Sequence, residues 1–363
     1  MRILYDGAIY QWQRYGGVNR YFANLISRLP SDFDPVLTTA RQRGITFPDH
    51  PRLKIVAFER FRPQRLSLRL EKLYFERRTA KHKFDLVHPT YYTVLSQSSL
   101  ARGRVPIVVT FWDMIHDFFP EVDPSGRVVA MKRKAAAAAD AIICISENTK
   151  EDLLERYSVP PEKVIVTYLA SELDFTRANG PQPVPSRPFF LYVGSRQGYK
   201  NFDQLLDAFA RIATENRDPL LCIVGPPLSN EEEKRISQLG LSARIQNLGF
   251  LHDDHLAKLY QRSVALIYPS LYEGFGLPAV EAMACGAPVI ASNRASLPEV
   301  INNAGLLFDP ECADELPVLM RHLLESPSAR DALIKRGFAR AQDFSWEKTA
   351  DQTVDLYRKV AGR

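Results

Sequence analysis

Short apolar, β-branched runs alternate with amphipathic stretches along this chain. In the first half the runs are Arg2–Tyr5, Pro35–Thr39, Lys54–Phe58, Leu86–His88, Ile107–Phe111, Ala141–Ser146 and Val164–Tyr168. Helical periodicity falls between many of them, over Val18–Leu29, Leu66–Lys81, Arg127–Ala139 and Thr149–Tyr157. Apolar strands that alternate with helices predict βαβ units and a mostly parallel sheet, an α/β protein.

The stretch GPQPVPSRP, residues 180–188, then interrupts the pattern with four prolines in nine residues. Proline fixes φ and lacks a donor, so the segment predicts a linker. The alternation restarts with strands at Phe189–Val193, Leu220–Val224, Ile245–Leu248, Ala265–Tyr268, Val289–Ser292 and Leu306–Phe308. Asn201 with Gln204, and Ser229 with Glu232, have the spacing of capping boxes. Asp253 and Asp254 read as an N-cap, and Ser345–Val360 as a last helix. The expected organisation is a first domain over 1–180, a linker over 181–188, a second domain over 189–344, and a tail over 345–363 that packs back on the first domain. Two doubly wound domains joined in this way face each other across a cleft, with ligands beyond the carboxyl ends of the strands.

Composition narrows the class. The chain has 363 residues, 45% hydrophobic and 25% charged, which excludes disorder and repeats and suits two domains. A net charge of +5 suits anionic ligands or a membrane surface and falls short of a nucleic-acid binder. Cys144, Cys222, Cys285 and Cys312 form no CxxC pair and read as buried thiols of a reducing compartment. No run is long enough to span a membrane, and MRILYDG reads as a strand and turn, so the expected location is cytoplasmic.

The chemistry concentrates in YPSLYEGFGLPAVEAMACGAPVIAS, residues 268–292. Here Glu273 precedes the turn Gly274-Phe275-Gly276, Pro278 lies near a helix start, and Glu281 lies about one turn further in. Glycines admit a ligand close to the backbone, and the amides of Phe275, Gly276 and Leu277 would face an anion at a helix start. Glu273 and Glu281 are acceptors suited to sugar and ribose hydroxyls. A capped surface helix explains glutamates near its start, but not two glycines and two glutamates together.

Arg196 and Lys200 lie in YVGSRQGYKNF, between a strand and a helix. Fixed cations there suit a departing diphosphate, although a solvated basic loop has the same composition. Gly16-Gly17 precedes the first long helix, where backbone amides again suit a phosphate. Ser146 follows a strand and reads first as a helix cap. The histidines form no metal-ligand constellation, so no metal is expected. Residues 60–83, RFRPQRLSLRLEKLYFERRTAKHK, hold nine Arg/Lys and two Glu. A solvated helix with Leu66, Leu70 and Leu73 on one buried face is the first reading, and a surface for anionic lipid headgroups the second.

Glu273 and Glu281, separated by GFGLPAV, resemble the E-x7-E signature of retaining GT-B glycosyltransferases, family 4, or group 1 glycosyltransferases. YDGAIYQWQRYGGVNRYFANL, VVTFWDMIHDFFPE, IICISENTKEDLLERY and YVGSRQGYKNF resemble further blocks of that family, in its order. The resemblance implies a GT-B fold of two Rossmann-like domains, with the nucleotide-diphosphate sugar held by the second. It implies Arg196 and Lys200 as the donor-diphosphate pair, and Gly16-Gly17 as the loop beside it. Many members carry His-Asp where this chain has Trp112-Asp113. Asp113 is then the expected sugar-hydroxyl ligand, with His116, three residues on, as the substitute histidine.

The expected function is retaining, metal-independent transfer of a hexose, mannose first, from a GDP- or UDP-linked donor. The acceptor is a glycan or lipid-linked acceptor of surface polysaccharide synthesis, and no separate cofactor is expected. The contacts named are Asp113, His116, Arg196, Lys200 and Glu273 for catalysis, with Gly16, Gly17, Ser146, Gly274, Phe275, Gly276, Leu277 and Glu281 around the donor. The competing readings are a nucleotide-sugar epimerase of the same fold and a non-catalytic nucleotide-sugar-binding protein.

Overall fold

In the computed structural model, residues 1–12, 16–40, 48–80, 83–93, 105–215 and 218–362 are described. The apolar runs become parallel strands: β1 (Arg2–Asp6), β2 (Asp34–Ala40), β3 (Lys54–Phe58), β4 (Leu86–Val87), β5 (Val108–Phe111), β6 (Ala141–Cys144) and β7 (Val164–Val166). These order as β3-β2-β1-β4 and β5-β6-β7, with a parallel bridge from Val87 to Ile107 joining the two sets. The second half gives β8 (Phe189–Val193), β9 (Leu220–Val224), β10 (Ile245–Gly249), β11 (Ala265–Tyr268), β12 (Val289–Ser292) and β13 (Leu306–Phe308). Their order is β10-β9-β8-β11-β12-β13. Each half thus repeats the Rossmann order, with a switch point beside its first strand.

The chain divides into two units, Met1–Leu169 with Trp346–Arg363, and Ala170–Ser345. The boundary therefore lies ahead of Pro181–Pro188, correcting the expected 180/181 limit. The cause is local. Asp174 caps the turn Phe175–Asn179, whose Arg177 pairs with Asp253 at 3.4 Å. Lys258 bonds the Gly180 carbonyl and His255 Nε2 lies 2.8 Å from that of Pro183, so the proline stretch is held by the helix Asp253–Arg262.

The central strands are buried on both faces, as their composition requires, while the edge strands β3 and β10 are partly exposed. In the second unit Phe190, Tyr192, Ile223 and Ile267 pack with Leu205, Phe209 and Ile212 of the helix Phe202–Glu215. Full burial of such side chains stabilises by about 1.5–3 kcal/mol each. In the first unit the closing helix Trp346–Val360 docks on the sheet. Tyr357 Oη lies 2.5 Å from His88 Nδ1 and accepts from the Tyr5 hydroxyl at 3.2 Å, and the Thr349 hydroxyl donates to the Tyr168 carbonyl at 2.5 Å. His88 Nε2 lies 2.9 Å from Thr110 Oγ1, and burial lowers the His88 pKa to about 3, so the imidazole is neutral.

Four local expectations change. Ser229 and Glu232 do form a capping box, but Asn201 sits at φ 53° and only contacts the Gln204 side chain. The cap of the helix Asp253–Arg262 is His252, with Asp253 and Asp254 inside its first turn. Cys312 is exposed, whereas the other three cysteines are buried. Most telling is the helix Gln64–Ala80. Ser67, Glu71 and Phe75 turn inward at i, i+4, i+8 spacing, while Leu66, Leu68, Leu70 and Leu73 are each more than 40% exposed. Burial of the inner face centres on Glu71, which Arg60 holds at 2.8 Å, so the leucines are left outward. Residues 81 and 82 of the basic stretch lie outside the described residues.

Candidate functional site

The second unit gathers its candidates at the switch point, from the loops that follow β8 and β11. The loop after β8 carries Arg196 and Lys200, and the loop after β11 carries Glu273. The Leu271 amide donates to the Tyr199 carbonyl at 2.7 Å, tying the two loops together. Lys200 Nζ lies 2.7 Å from Glu273 Oε1, with both side chains largely covered. Glu273 is fixed from behind, because the Ser296 hydroxyl donates to its carbonyl at 2.9 Å. The Tyr268 ring lies 5.8 Å from the ammonium, and burial followed by the Glu273 charge raises the Tyr268 pKa.

Gly276 then turns the chain into the helix Leu277–Ala284. Its φ of 93° is left-handed, and a Cβ there would lie 2.7 Å from Leu297 Cδ2, so glycine is required on both counts. The helix start has no side-chain cap; Pro278 carries no N–H and the Ala279 amide donates to the Gly276 carbonyl at 2.9 Å. Phe275 turns its ring into the core against Phe344, and Gly274 is buried beside it. Glu281 is buried on the same helix, where the Tyr260 hydroxyl donates to its Oε2 at 3.1 Å.

Arg196 is placed differently from Lys200. Its side chain is 4% exposed and pairs with Glu232 at 2.6 Å, while Nη2 also reaches the carbonyls of Pro226 and Pro227. Only Nη1 lacks a partner among the described residues. Glu232 thus serves as helix cap and guanidinium partner at once, of which its spacing disclosed the first alone.

The candidates of the first unit are dispersed along its sheet. Gly16 caps the helix Gly17–Ser27, and a Cβ on Gly17 would meet open space. Ser146 is fully buried, and its hydroxyl accepts the Thr149 amide at 3.0 Å and donates to the Thr149 hydroxyl. This makes it the cap of the helix Glu147–Arg156, the first of its two expected roles. Trp112 packs edge-on against Tyr21 with centroids 4.9 Å apart, so an aromatic core residue fills the histidine position.

Asp113 and His116 do meet, through the short helix Ile115–Phe118, with His116 Nδ1 3.8 Å from Asp113 Oδ1. Burial opposes the Asp113 charge, but Lys132, His116 and the Ile115 amide together hold its carboxyl well below the usual range. Lys132 was not legible in the sequence. It is fully buried, donates to the Asp113 carbonyl at 2.8 Å, and lies 3.3 Å from Asp113 Oδ1 and 3.2 Å from Asp117 Oδ2. Its neighbours Arg133 and Lys134 gave it the look of a solvated basic run.

Both units place their candidate loops at the carboxyl ends of a parallel sheet, the arrangement of the GT-B fold. Solved structures share it: sucrose-phosphate synthase from Thermosynechococcus elongatus superposes with a TM-score of 0.79 at 22% identity, covering 99% of this chain and 98% of that one. Anabaena HepE in complex with UDP-glucose gives 0.73 at 19% identity, covering 99% and 100%. The model of glycosyl transferases group 1 matches residues 177–340, and that of glycosyltransferase family 4 matches residues 15–175. Among curated relatives, O-antigen chain mannosyltransferase B of Escherichia coli is 29% identical over 94% of this chain and 96% of its own length. The MMP alpha-(1->4)-mannosyltransferase of Mycolicibacterium hassiacum is 32% identical over 83% and 76%. The chain belongs to the group 1, or family 4, glycosyltransferases.

Proposed function

We propose that the protein transfers a hexose, mannose in the first instance, from a nucleotide-diphosphate sugar to a glycan or lipid-linked acceptor of surface polysaccharide synthesis, with retention. The observation that carries this reading is the Lys200–Glu273 pair at 2.7 Å beside the uncapped, glycine-led helix start. Lys200 and the amides at Gly276 and Leu277 would stabilise charge growing on the leaving diphosphate, which a metal ion is then not needed to do. Glu273 would position the sugar, Glu281 would accept from ribose hydroxyls, and Arg196 Nη1 would join the diphosphate. Asp113, with His116, is assigned to sugar hydroxyls, and Gly16-Gly17 to the phosphate side. The acceptor proton passes to a leaving phosphate oxygen, so Glu273 and Glu281 are not read as a glycosidase pair. The mannosyltransferase names of the relatives above support mannose, while the UDP-glucose bound to HepE keeps a UDP-linked donor in view beside GDP.

The helix Gln64–Ala80 supports peripheral attachment to the inner face of the membrane. Its exposed leucines stand among Arg65, Arg69 and Lys72, a composition that suits anionic headgroups.

A thermal-shift panel of GDP-, UDP-, ADP- and dTDP-sugars tests the donor reading. A ligand at one hundred times its dissociation constant stabilises by about 2.7 kcal/mol. One donor should stand out and Glu281→Ala should weaken its response; a panel without any shift overturns the assignment.

A further inference from the structure

The two glutamates of the second unit are held differently. Glu273 meets the ammonium of Lys200, whereas Glu281 meets a neutral hydroxyl, that of Tyr260, which donates to its Oε2 at 3.1 Å. The phenol comes from the helix Asp253–Arg262 and the carboxylate from the helix Leu277–Ala284. Tyr260 has no exposed surface, while Glu281 retains 7%. A ligand therefore reaches the carboxylate and not the phenol.

The helix that carries Tyr260 is itself tied down. Arg177 lies 3.4 Å from Asp253 in its first turn, and Lys258 and His255 reach the carbonyls of Gly180 and Pro183. The Ser263 hydroxyl donates to the Tyr260 carbonyl at 2.8 Å. A tyrosine ring has few torsions, so its hydroxyl is a fixed point. The glutamate chain is more flexible and loses more rotamer freedom when it is ordered. Donation from a fixed point sets the orientation of the carboxylate before a ligand arrives, and a group ordered beforehand costs less to bind. A carboxylate has about four acceptor sites, so one phenol does not exhaust it.

We infer that Tyr260 is a positioning residue that makes Glu281 a selector for ribose hydroxyls, so that the donor is accepted as a ribonucleotide and refused in its deoxy form. The inference rests on the assignment of Glu281 to the ribose, and adds what orients the acid and what the acid discriminates. A buried acceptor set for a hydroxyl is left unserved by an analogue that lacks one, and a site of this kind rejects the analogue more strongly than an apolar pocket does. Tyr260 acts through Glu281 and does not itself touch the nucleotide.

The test is calorimetric titration of the full chain with GDP, UDP and ADP, and with the 2′-deoxy and 3′-deoxy form of each. The nucleotide that binds should lose about tenfold or more in affinity in at least one deoxy form. Y260F keeps the ring in the core and removes only the hydroxyl. It should weaken the ribonucleotide by about three- to tenfold and that deoxy form by less than about twofold, so the ratio between them contracts. A role confined to stability would leave the ratio intact. E281A should contract it as well, and Y260F added to E281A should weaken the ribonucleotide by less than about twofold more, because the two side chains act as one unit. A wild type that binds ribo and deoxy forms alike overturns the proposal. So does a Y260F chain that keeps the ratio while E281A abolishes it, which leaves Glu281 on the ribose. A ratio that survives in E281A overturns the placing of Glu281 on the ribose, and the proposal with it. Binding of none of the three nucleotides overturns the transferase reading itself.

Discussion

Lys200 and Glu273 neutralise each other across two loops that belong to different βα units, with 2.7 Å between ammonium and carboxylate. The pair is largely covered, so neither charge is well served by water alone. Lys200→Met should therefore strand a carboxylate and cost about 3–5 kcal/mol in chemical denaturation. Lys200→Met with Glu273→Gln should recover most of that loss but not the turnover of sugar donor. Additive losses in the double variant would show that the pair carries no coupling.

Gly276→Ala adds one carbon at φ 93° and 2.7 Å from Leu297 Cδ2. Strain and overlap together should destabilise by about 1–3 kcal/mol. Leu297→Ala in the same chain removes the overlap and leaves the strain, so denaturant midpoints should show partial and not full relief of the Gly276→Ala effect.

His88 supplies the acid sensitivity. Its pKa falls from 6.5 to about 3 on folding because of burial. Between those values only the unfolded chain binds the proton, so stability is full above about pH 6.5 and declines as pH drops, by about 1.4 kcal/mol per unit. His88→Gln keeps a hydrogen-bonding group without that titration. Its stability, lower at pH 7, should vary less with pH between 3.5 and 6.5; an unchanged slope would assign the sensitivity to other groups.

Lys132 holds Asp113 and Asp117 from a fully buried position. Lys132→Met leaves both carboxylates near one another without their cation. Stability should fall by about 3–5 kcal/mol at pH 7, with part of it regained in Lys132→Met/Asp117→Asn, as read by urea midpoints.

The outward leucines predict a graded membrane response. Leu66→Ser/Leu70→Ser/Leu73→Ser should reduce cosedimentation with vesicles containing anionic lipid several-fold, and it should leave the melting temperature close to that of the parent, because these side chains are already exposed. Equal cosedimentation would remove the helix Gln64–Ala80 from any attachment.

The strands were legible because parallel strands buried on both faces read as apolar runs, and Leu220–Val224 or Val289–Ser292 have no other explanation. The Glu273–Leu277 turn was legible because a capped helix explains glutamates near its start, but not two glycines and two glutamates together. Helix orientation was not. In RLSLRLEKLYF the leucines outnumber the apolar residues of the opposite face, yet a buried Glu71 paired to Arg60 decides which face turns inward. Lys132 and Glu232 stayed hidden for the same reason: a charged residue inside a charged run discloses neither its burial nor its partner. Ser146 shows the reverse case, where the local capping rule predicted the geometry directly.

The closing helix Trp346–Val360 has a bearing on how the molecule is made. During synthesis the second unit is complete once Ser345 has left the ribosome, whereas the first unit, begun earlier, still awaits its last segment. Tyr5 and His88 gain their partner Tyr357 only after the second unit has been made, so the half that is begun first is completed second.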